Sequence, residues 1–466
     1  MNSTIFKNVG APLFAALAIT VSGCKKDQQN EQSPEALTPS LTVNVPNIVN
    51  GTGALEQTLS ITSNVKWTGS VPEADASWLS IDKTSGEKNS TIKITVKANT
   101  GNDPRAGKVV LKGEGVAELN IPVNQKGLIE WQKAIPNNNN SKLFEVSDGY
   151  VVGGQSNGNM YIYKVNKTTM ELMKSASIQV TGYAGGSLVD MEPLPGGGFI
   201  ATGYLNQLAD GSARDAYVFQ LSNDLEVVKG MVHDFGTAQD IPYAIHPLGT
   251  GYVLAFYKGG STFLTKLNEN LFEVEGTRKI TSMSTMSDLK ATSDAEIVAT
   301  GSADGYFAVA KYRNELTLKS MYKASFFGKA NAAWVSADNK VAVAGYKNAD
   351  DGTDIFYIKL DANLDPIPGQ ESSIHKGKWD YAYSIIGFVG GGYAISGSVY
   401  INNETQGYSL RLDNNLSTVP GKEVFVPYSY FIAAEGAVAL NDGSYLLTGY
   451  SRGASTLFSN LIRINP

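Results

Sequence analysis

A short motif recurs along the C-terminal part of this 466-residue chain, which restricts the chain to folds built from stacked copies of one unit. Each copy is a polar turn, an apolar run and, in six of seven copies, a closing glycine, which Ala255 replaces in the third. The copies are Asp148–Gly154, Gly197–Gly203, Gly249–Ala255, Ala295–Gly301, Asn339–Gly345, Gly391–Gly397 and Gly443–Gly449. The first and last glycines mark six intervals of about 49 residues each.

A polar loop and a second apolar strand follow each copy, and a third, more polar strand comes next. The second strand is clearest at Ala216–Leu221, Thr262–Leu267, Ile355–Leu360 and Tyr408–Leu412. Four strands in each of seven repeats predict an all-β fold, a seven-bladed β-propeller over residues 128–466. A solenoid is the alternative for repeats of this size.

The two ends of the array favour the propeller because each end supplies what the other lacks. The last copy stops at Pro466, after its second outer strand, and has no fourth strand. Before the first copy, Leu128–Ile135 has the pattern of an outermost strand without a blade. Pairing it with Leu457–Ile464 would close the ring and remove two open sheet edges.

The turns Gly197-Gly198-Phe199 and Gly391-Gly392-Tyr393 resemble those of propeller lipoproteins from the Bacteroidetes and, more distantly, kelch repeats. The Trp-Asp ending of WD40 blades, the Asp-box of sialidases and the Trp-docking repeat of quinoproteins are missing from the sequence. The resemblance therefore implies a propeller without the motifs of the best-known propeller enzymes.

The N-terminus predicts a secreted, membrane-anchored chain. Residues 1–23 hold one charged residue, Lys7, before an apolar run that is too short to span a bilayer and is typical of a signal peptide. Small residues lead directly into Cys24, the single cysteine, and this resembles a bacterial lipobox, which implies that Cys24 is lipidated. The polar residues 24–40 predict a flexible tether. This tether resembles that of surface-exported Bacteroidetes lipoproteins, so we expect an outer-membrane lipoprotein exposed at the cell surface.

Residues 41–127 alternate apolar and polar side chains in short runs, which predicts an Ig-like β-sandwich. The segment resembles the BACON family (Bacteroidetes-associated, carbohydrate-binding, often N-terminal). The resemblance is carried by Ser63–Trp67, Ala76–Ile81, Ser85-Gly86, Thr95–Asn99, Pro104-Arg105 and Val123–Gln125. Trp67 and Trp78 could stack on sugars, but the alternation around Trp78 favours packing in the core.

Composition excludes several function classes. The net charge of −6 argues against a nucleic-acid partner. One cysteine and three histidines exclude a zinc cluster and a disulfide framework. We find no nucleophile elbow or phosphate loop and predict no catalytic residue, cofactor or metal. Loops 208–215 and 349–354 carry oxygen ligands that Ca²⁺ would accept, although Asp-Gly in such loops more often marks a turn.

The candidate ligand site is the set of loops that lead into the innermost strands. These loops are rich in aromatic residues, which stack on sugar rings, and in carboxylates, which bind hydroxyl groups. The candidates are Tyr183, Asp240, Tyr243, Trp334, Trp379, Asp380, Tyr381, Tyr428 and Tyr430. The alternative is that these aromatic side chains pack between neighbouring blades.

The sequence thus favours a lipid-anchored, non-catalytic surface protein that binds polysaccharide through its propeller loops. The first alternative is a protein-interaction scaffold, such as an accessory subunit of an outer-membrane complex. A polysaccharide lyase or hydrolase is the least favoured, because no pair of carboxylates can be shown to converge.

Overall fold

The computed structural model describes residues 37–136, 139–208, 213–236, 239–426, 433–452 and 457–466. These residues form an all-β protein in which a β-sandwich precedes a β-propeller, as the sequence predicts. No helix in the described part of the chain is both long and apolar enough to cross a membrane. Cys24 lies outside the described residues.

The sandwich consists of a four-stranded and a five-stranded sheet, in the strand orders β1-β3-β7-β5 and β2-β9-β8-β4-β6. A single 3-10 turn, Glu73–Asp75, separates β4 from β5 in this domain. The strands are β1 (Leu41–Val43), β2 (Ile48–Asn50), β3 (Leu55–Ser63), β4 (Trp67–Ser70), β5 (Leu79–Ile81), β6 (Ser85–Gly86), β7 (Ser90–Val96), β8 (Arg105–Gly113) and β9 (Leu119–Gln125).

Both sandwich tryptophans belong to the core between the two sheets. Trp67 lies beside Gly86 on the paired strand, where a Cβ atom would come within 2.4 Å of the indole ring. Its Nε1 donates a hydrogen bond to the Lys88 carbonyl at 3.0 Å. Trp78 lies under the Arg105 guanidinium, 4.5 Å from the ring centroid. The packing interpretation is confirmed, and neither ring offers an open face to a sugar.

The propeller strands follow one another with short connections. In chain order they are β10 (Ile129–Pro136), β11 (Asn139–Val146), β12 (Gly149–Ser156), β13 (Asn159–Asn166), β14 (Leu172–Ile178), β15 (Gly186–Pro193), β16 (Phe199–Asn206), β17 (Arg214–Leu221), β18 (Val227–His233), β19 (Asp240–Leu248), β20 (Gly251–Lys258), β21 (Ser261–Leu267), β22 (Lys279–Ile280), β23 (Thr285–Ala291), β24 (Ile297–Ala303), β25 (Tyr306–Tyr312), β26 (Leu318–Val335), β27 (Val341–Ala349), β28 (Gly352–Leu360), β29 (Pro366–Ile374), β30 (Tyr381–Gly387), β31 (Tyr393–Ile401), β32 (Glu404–Leu412), β33 (Thr418–Val426), β34 (Ala433–Ala439), β35 (Tyr445–Arg452) and β36 (Leu457–Ile464).

Within the described ranges these strands pair into five four-stranded sheets and one seven-stranded sheet. The larger sheet is two blades joined by the long strand β26. Its first half pairs with β25 as the outermost strand of blade 4, and its second half pairs with β27 as the innermost strand of blade 5. The pairing therefore gives seven four-stranded blades, with innermost strands β11, β15, β19, β23, the end of β26, β30 and β34.

The ring closes between the start and the end of the propeller sequence. Strand β10 pairs antiparallel with β36, from Ile129 opposite Ile464 to Pro136 opposite Phe458. Blade 7 therefore takes its outermost strand from the N-terminal end of the domain, as the unfinished last repeat predicts. This arrangement leaves no unpaired strand at the seam.

A β-bulge at the same place in every innermost strand explains the repeated glycine. The bulge brings a carbonyl oxygen close to the neighbouring strand. A Cβ atom on Gly203, Gly301 or Gly345 would lie only 2.0–2.3 Å from that oxygen. In blade 3 the position opposite the bulge is Phe256, because Pro242 pairs with it, so aligning Ala255 with the glycines was wrong by one residue.

The sandwich contacts the propeller beside blades 6 and 7. The Leu128 N–H donates to the Gly101 carbonyl at 2.9 Å, and the Asn102 side chain donates to the Phe425 carbonyl at 2.9 Å. The Thr52 hydroxyl donates to the carboxyl-terminal Pro466 at 2.6 Å. The residues at the seam of the propeller, Leu128 before β10 and Pro466 after β36, thus also contact the sandwich.

Candidate functional site

One end of the propeller carries a cluster of partly exposed aromatic side chains. We call the end at which the innermost strands begin the top face. On it, Tyr306 stacks on Phe327 with ring centroids 4.4 Å apart, and Phe327 is 53 % exposed. In the next blade, Tyr346 contacts Tyr381 edge to face at 5.0 Å. These pairs belong to blades 4, 5 and 6, which are consecutive.

The cluster continues into the loop before β30. Trp379 is 50 % exposed and meets Tyr400 edge to face at 5.0 Å. Tyr381 also stacks against Tyr383, with centroids 6.0 Å apart. We call the seven residues the aromatic band: Tyr306, Phe327, Tyr346, Trp379, Tyr381, Tyr383 and Tyr400. The band combines large apolar rings with hydroxyl groups at their edges, which suits the faces and hydroxyls of a sugar.

Two of the seven band residues were predicted from the sequence: Trp379, in the loop before β30, and Tyr381, the first residue of β30. Tyr383 lies two residues further along β30, and Tyr306, Phe327, Tyr346 and Tyr400 lie on other strands that reach the same face. A signal for part of the missing set is present in the sequence. The residue after the repeated glycine is aromatic in several copies, as in Gly345-Tyr346 and Gly203-Tyr204.

The two predicted carboxylates, Asp240 and Asp380, are buried, unlike the rings of the aromatic band. Asp240 and Asp380 are fully buried and accept hydrogen bonds from the backbone. Asp240 accepts from the Phe235 N–H at 2.8 Å, and Asp380 accepts from the N–H groups of Gly377 and Tyr400, each at 3.0 Å. These carboxylates hold the blade-to-blade connections in place and do not face solvent.

Two further predicted residues pack between blades. The Tyr183 hydroxyl donates to Asp215 at 2.7 Å, and burial together with that carboxylate raises its pKa to about 12. Tyr243 packs against the apolar core shared by blades 3 and 4, and burial raises its pKa. Tyr428 and Tyr430 lie outside the described residues.

Loops 208–215 and 349–354, whose oxygen atoms could bind Ca²⁺, end at equivalent places in blades 2 and 5. Asp215 meets Asp234 and Asp240, and Asp354 meets His375 and Asp380, in each case with ligand atoms within 4.8 Å of one another. In the second group His375 Nδ1 lies 2.7 Å from Asp354, and this carboxylate raises the pKa of the imidazole. These groups have the ligand types for a cation, but the hydrogen bonds just described already occupy much of their bonding capacity.

The bulges also shape a central cavity of about 510 Å³ lined by all seven innermost strands. The extra residue of each bulge is Ser141, Val189, Tyr243, Ser287, Asn331, Tyr383 or Glu435. The last four come from consecutive blades and line the cavity. Trp334 lines it as well, on strand β26 rather than in a loop as expected, and lies against Gly387 of blade 6.

Charged side chains in and beside this cavity form ion pairs, two of which join different blades. Lys142 lies 2.7 Å from Asp190, and Lys290 lies 2.7 Å from Glu192 and 2.9 Å from Asp288. Burial opposes ionisation of Glu192, but Lys290 and His246 together outweigh it and hold the pKa of Glu192 at about 2. Asp190 and Asp288 also accept the N–H groups of Ile245 and Ala333 from the next blade, at 2.8 and 3.1 Å.

Glu435 differs from the other carboxylates of the cavity. Among the described residues it has no hydrogen-bond or ion-pair partner. Burial raises its pKa to about 7, and Lys142 only partly opposes this effect. No sequence pattern selects Glu435, because other residues that line the cavity with it are up to about 300 residues away in the chain.

Comparison with known proteins identifies the sandwich. Residues 66–126 match the BACON family, whose description is "Putative binding domain, N-terminal". The resemblance inferred from Ser85-Gly86, Pro104-Arg105 and the sandwich tryptophans is thereby confirmed for this segment. A search of curated proteins found no match.

Three solved structures illustrate the similarities of the chain. A Bacteroides ovatus GH5 xyloglucanase in complex with a XXXG heptasaccharide is 29 % identical over 19 % of each chain, with a TM-score of 0.18. This chain thus spans about a fifth of that enzyme. A protein of unknown function from Bacteroides caccae is 10 % identical over 62 % of this chain and 98 % of its own, with a TM-score of 0.41. A quinonprotein alcohol dehydrogenase-like protein from Bacteroides thetaiotaomicron is 12 % identical over 84 % and 99 %, with a TM-score of 0.36.

Proposed function

We propose that this protein is a lipid-anchored, cell-surface protein that binds polysaccharide on the top face of its propeller without cleaving it. The observation that carries the proposal is the aromatic band of blades 4–6, with Phe327 and Trp379 about half exposed. Aromatic rings of this kind are energetically costly to leave in water and stack readily on the apolar faces of sugars. The BACON match adds a domain associated with binding.

The geometry also supports binding rather than turnover. The buried acids Asp240 and Asp380 accept backbone hydrogen bonds, so they are not placed as an acid and base at the surface. The acids Asp190, Glu192 and Asp288 are paired with lysines. A glycosidase needs two carboxylates on either side of a bound sugar. Of the carboxylates next to the aromatic band in the chain, Asp380 is buried, and the exposed Asp304 is paired with Lys323 at 2.7 Å.

Affinity electrophoresis tests this proposal. The chain lacking residues 1–24 would be run through gels that contain plant, host or microbial polysaccharides. We expect at least one polymer to retard the protein, and Phe327→Ala with Trp379→Ala to weaken binding by about tenfold or more. Phe272→Ala is the matched control, because Phe272 is 55 % exposed on the blade 3 rim. Reducing ends released in the gel would contradict the proposal that the protein does not cleave the polysaccharide.

The anchor has its own test. Cys24 follows the apolar segment and lipobox-like residues, and we propose that it carries the lipid. Cys24→Ser should abolish labelling by a fatty-acid analogue and release the protein from the membrane fraction. Protease treatment of intact cells should degrade the wild-type protein if it is exposed at the surface.

A protein partner is the second candidate function, because an exposed aromatic patch also suits a protein interface. This alternative predicts no retardation by any polysaccharide and co-purification of an outer-membrane protein. The same Phe327 and Trp379 variants should then release that partner, so one pair of substitutions serves both tests.

A further inference from the structure

We propose that the central cavity binds an ammonium group, as carried by an amino sugar. This inference rests on the proposed function and specifies the class of sugar unit that the protein accepts. The cavity of about 510 Å³ lies within the range of about 300–1,000 Å³ that is usual for small-molecule sites. Its lining combines one unpaired carboxylate with aromatic rings.

Of the four carboxylates in and beside the cavity, Glu435 is the one without a cationic partner among the described residues. Asp190, Glu192 and Asp288 share the two lysines Lys142 and Lys290. Glu435 has no partner among the described residues. A ligand that brings one positive charge to Glu435 would complete the pairing, whereas an anionic ligand would meet an excess of negative charge.

Aromatic rings on the same lining favour an organic cation over a metal ion. Trp334 is 39 % exposed although it lies inside the ring of blades, and one side of its indole packs on Gly387. Tyr383 occupies the bulge position in blade 6, next to Glu435 in blade 7. Ammonium groups are attracted to the faces of such rings, most strongly to tryptophan, and to carboxylates. Asn331 occupies the same position in blade 5, where its amide nitrogen donates to the Ala382 carbonyl at 2.8 Å and its amide oxygen can accept a hydrogen bond from a sugar hydroxyl.

Ionisation of Glu435 makes the binding depend on pH. The groups that act on Glu435 are Lys142 from β11 and Tyr383 from β30. The other charged or titratable groups of the cavity lining are Glu192 from β15, His246 from β19, and Asp288 and Lys290 from β23. Because the pKa of Glu435 is about 7, a permanent cation should bind more tightly as the pH rises through that value. Near pH 7 its binding should release about half a proton from the protein.

Titration calorimetry of the chain lacking residues 1–24 tests the site with three probes. Tetramethylammonium carries a permanent charge, D-glucosamine carries an ammonium group on a sugar, and N-acetyl-D-glucosamine is neutral. We expect the first two to bind and the third to bind at least about tenfold more weakly. Glu435→Gln should reduce tetramethylammonium binding by about tenfold at high pH, whereas Glu404→Gln, an exposed carboxylate on β32, should not.

Several outcomes would overturn the proposal. Equal binding of the acetylated and free amino sugars would show that charge is not recognised, and unchanged binding by Glu435→Gln would remove its carboxylate from the site. Should Glu435→Gln fail to fold, the pH dependence of tetramethylammonium binding to the wild type decides the question. The two proposals fail in different experiments. Failure of the cavity site would abolish the expected binding of tetramethylammonium and glucosamine in calorimetry. Failure of the proposed function would abolish the retardation by polysaccharides that depends on Phe327 and Trp379.

Discussion

In both the sandwich and the propeller a tryptophan side chain packs against a glycine, but the tryptophan is buried in the sandwich and partly exposed in the propeller. In the sandwich, Gly86 makes room for Trp67, and the ring is almost completely buried. In the propeller, Gly387 makes room for Trp334, yet the ring still lines an open cavity. The difference lies in what each indole faces. The Trp67 indole faces the second sheet of the sandwich, whereas the Trp334 indole faces the central cavity of the propeller. A tryptophan beside a glycine is therefore not in itself a sign of either core or site.

The largest expected effect is in the sandwich core. Trp67→Ala removes a buried indole and its hydrogen bond to Lys88, so we expect the free energy of unfolding of the sandwich to fall by about 3–5 kcal/mol. Trp379→Ala, on the top face, should change stability by less than about 0.5 kcal/mol. Urea denaturation followed by circular dichroism would measure both. Similar losses in the two variants would contradict the contrast between the domains.

The glycines give a sharper comparison. A methyl group on Gly86 would meet the Trp67 ring at 2.4 Å, and one on Gly387 would meet the Trp334 Nε1 at the same distance. Trp67 has no free space, so Gly86→Ala should cost about 1–3 kcal/mol. Trp334 can move into the cavity, so Gly387→Ala should cost less and instead weaken binding of tetramethylammonium.

Gly390→Ala is the control for the glycine pair, since a Cβ atom there would have no neighbour within 4 Å. It should change neither the stability nor the binding. If Gly387→Ala destabilised the protein as much as Gly86→Ala, the Trp334 ring would be held as rigidly as a core residue.

The smallest effect concerns pH. The folded pKa of Glu435, about 7, lies above its ordinary value of 4.5, so the unfolded chain loses this proton at lower pH than the folded protein does. The stability of the propeller should therefore fall as pH rises from about 4.5 to about 7, by on the order of 1 kcal/mol in a solvent-open cavity. Thermal unfolding of the wild type and Glu435→Gln across this range would show the difference. Parallel curves would mean that folding does not raise the pKa of Glu435.

Repetition and alternation were enough to predict the architecture. Seven copies of one motif predicted blades, and the unmatched segment Leu128–Ile135 predicted the closure, because both follow from local pattern and from the need to pair every strand edge. The sequence also placed Trp379 and Tyr381 at the end of the propeller where the innermost strands begin. The alignment of the third copy failed by one residue, since the bulge in β19 shifts the pairing to Phe256.

The tertiary structure decided which of these side chains are available to a ligand. Asp380 directly follows the exposed Trp379, and Asp240 begins the innermost strand of blade 3, but backbone N–H groups around both carboxylates donate hydrogen bonds to their oxygens. The cavity charges come from strands far apart in the chain, and only closure of the ring brings Lys142, Lys290 and Glu435 around one axis. Local pattern fixes strands and turns because it acts over a few residues. Burial and pairing depend on which strands meet, and that is set by the ring as a whole.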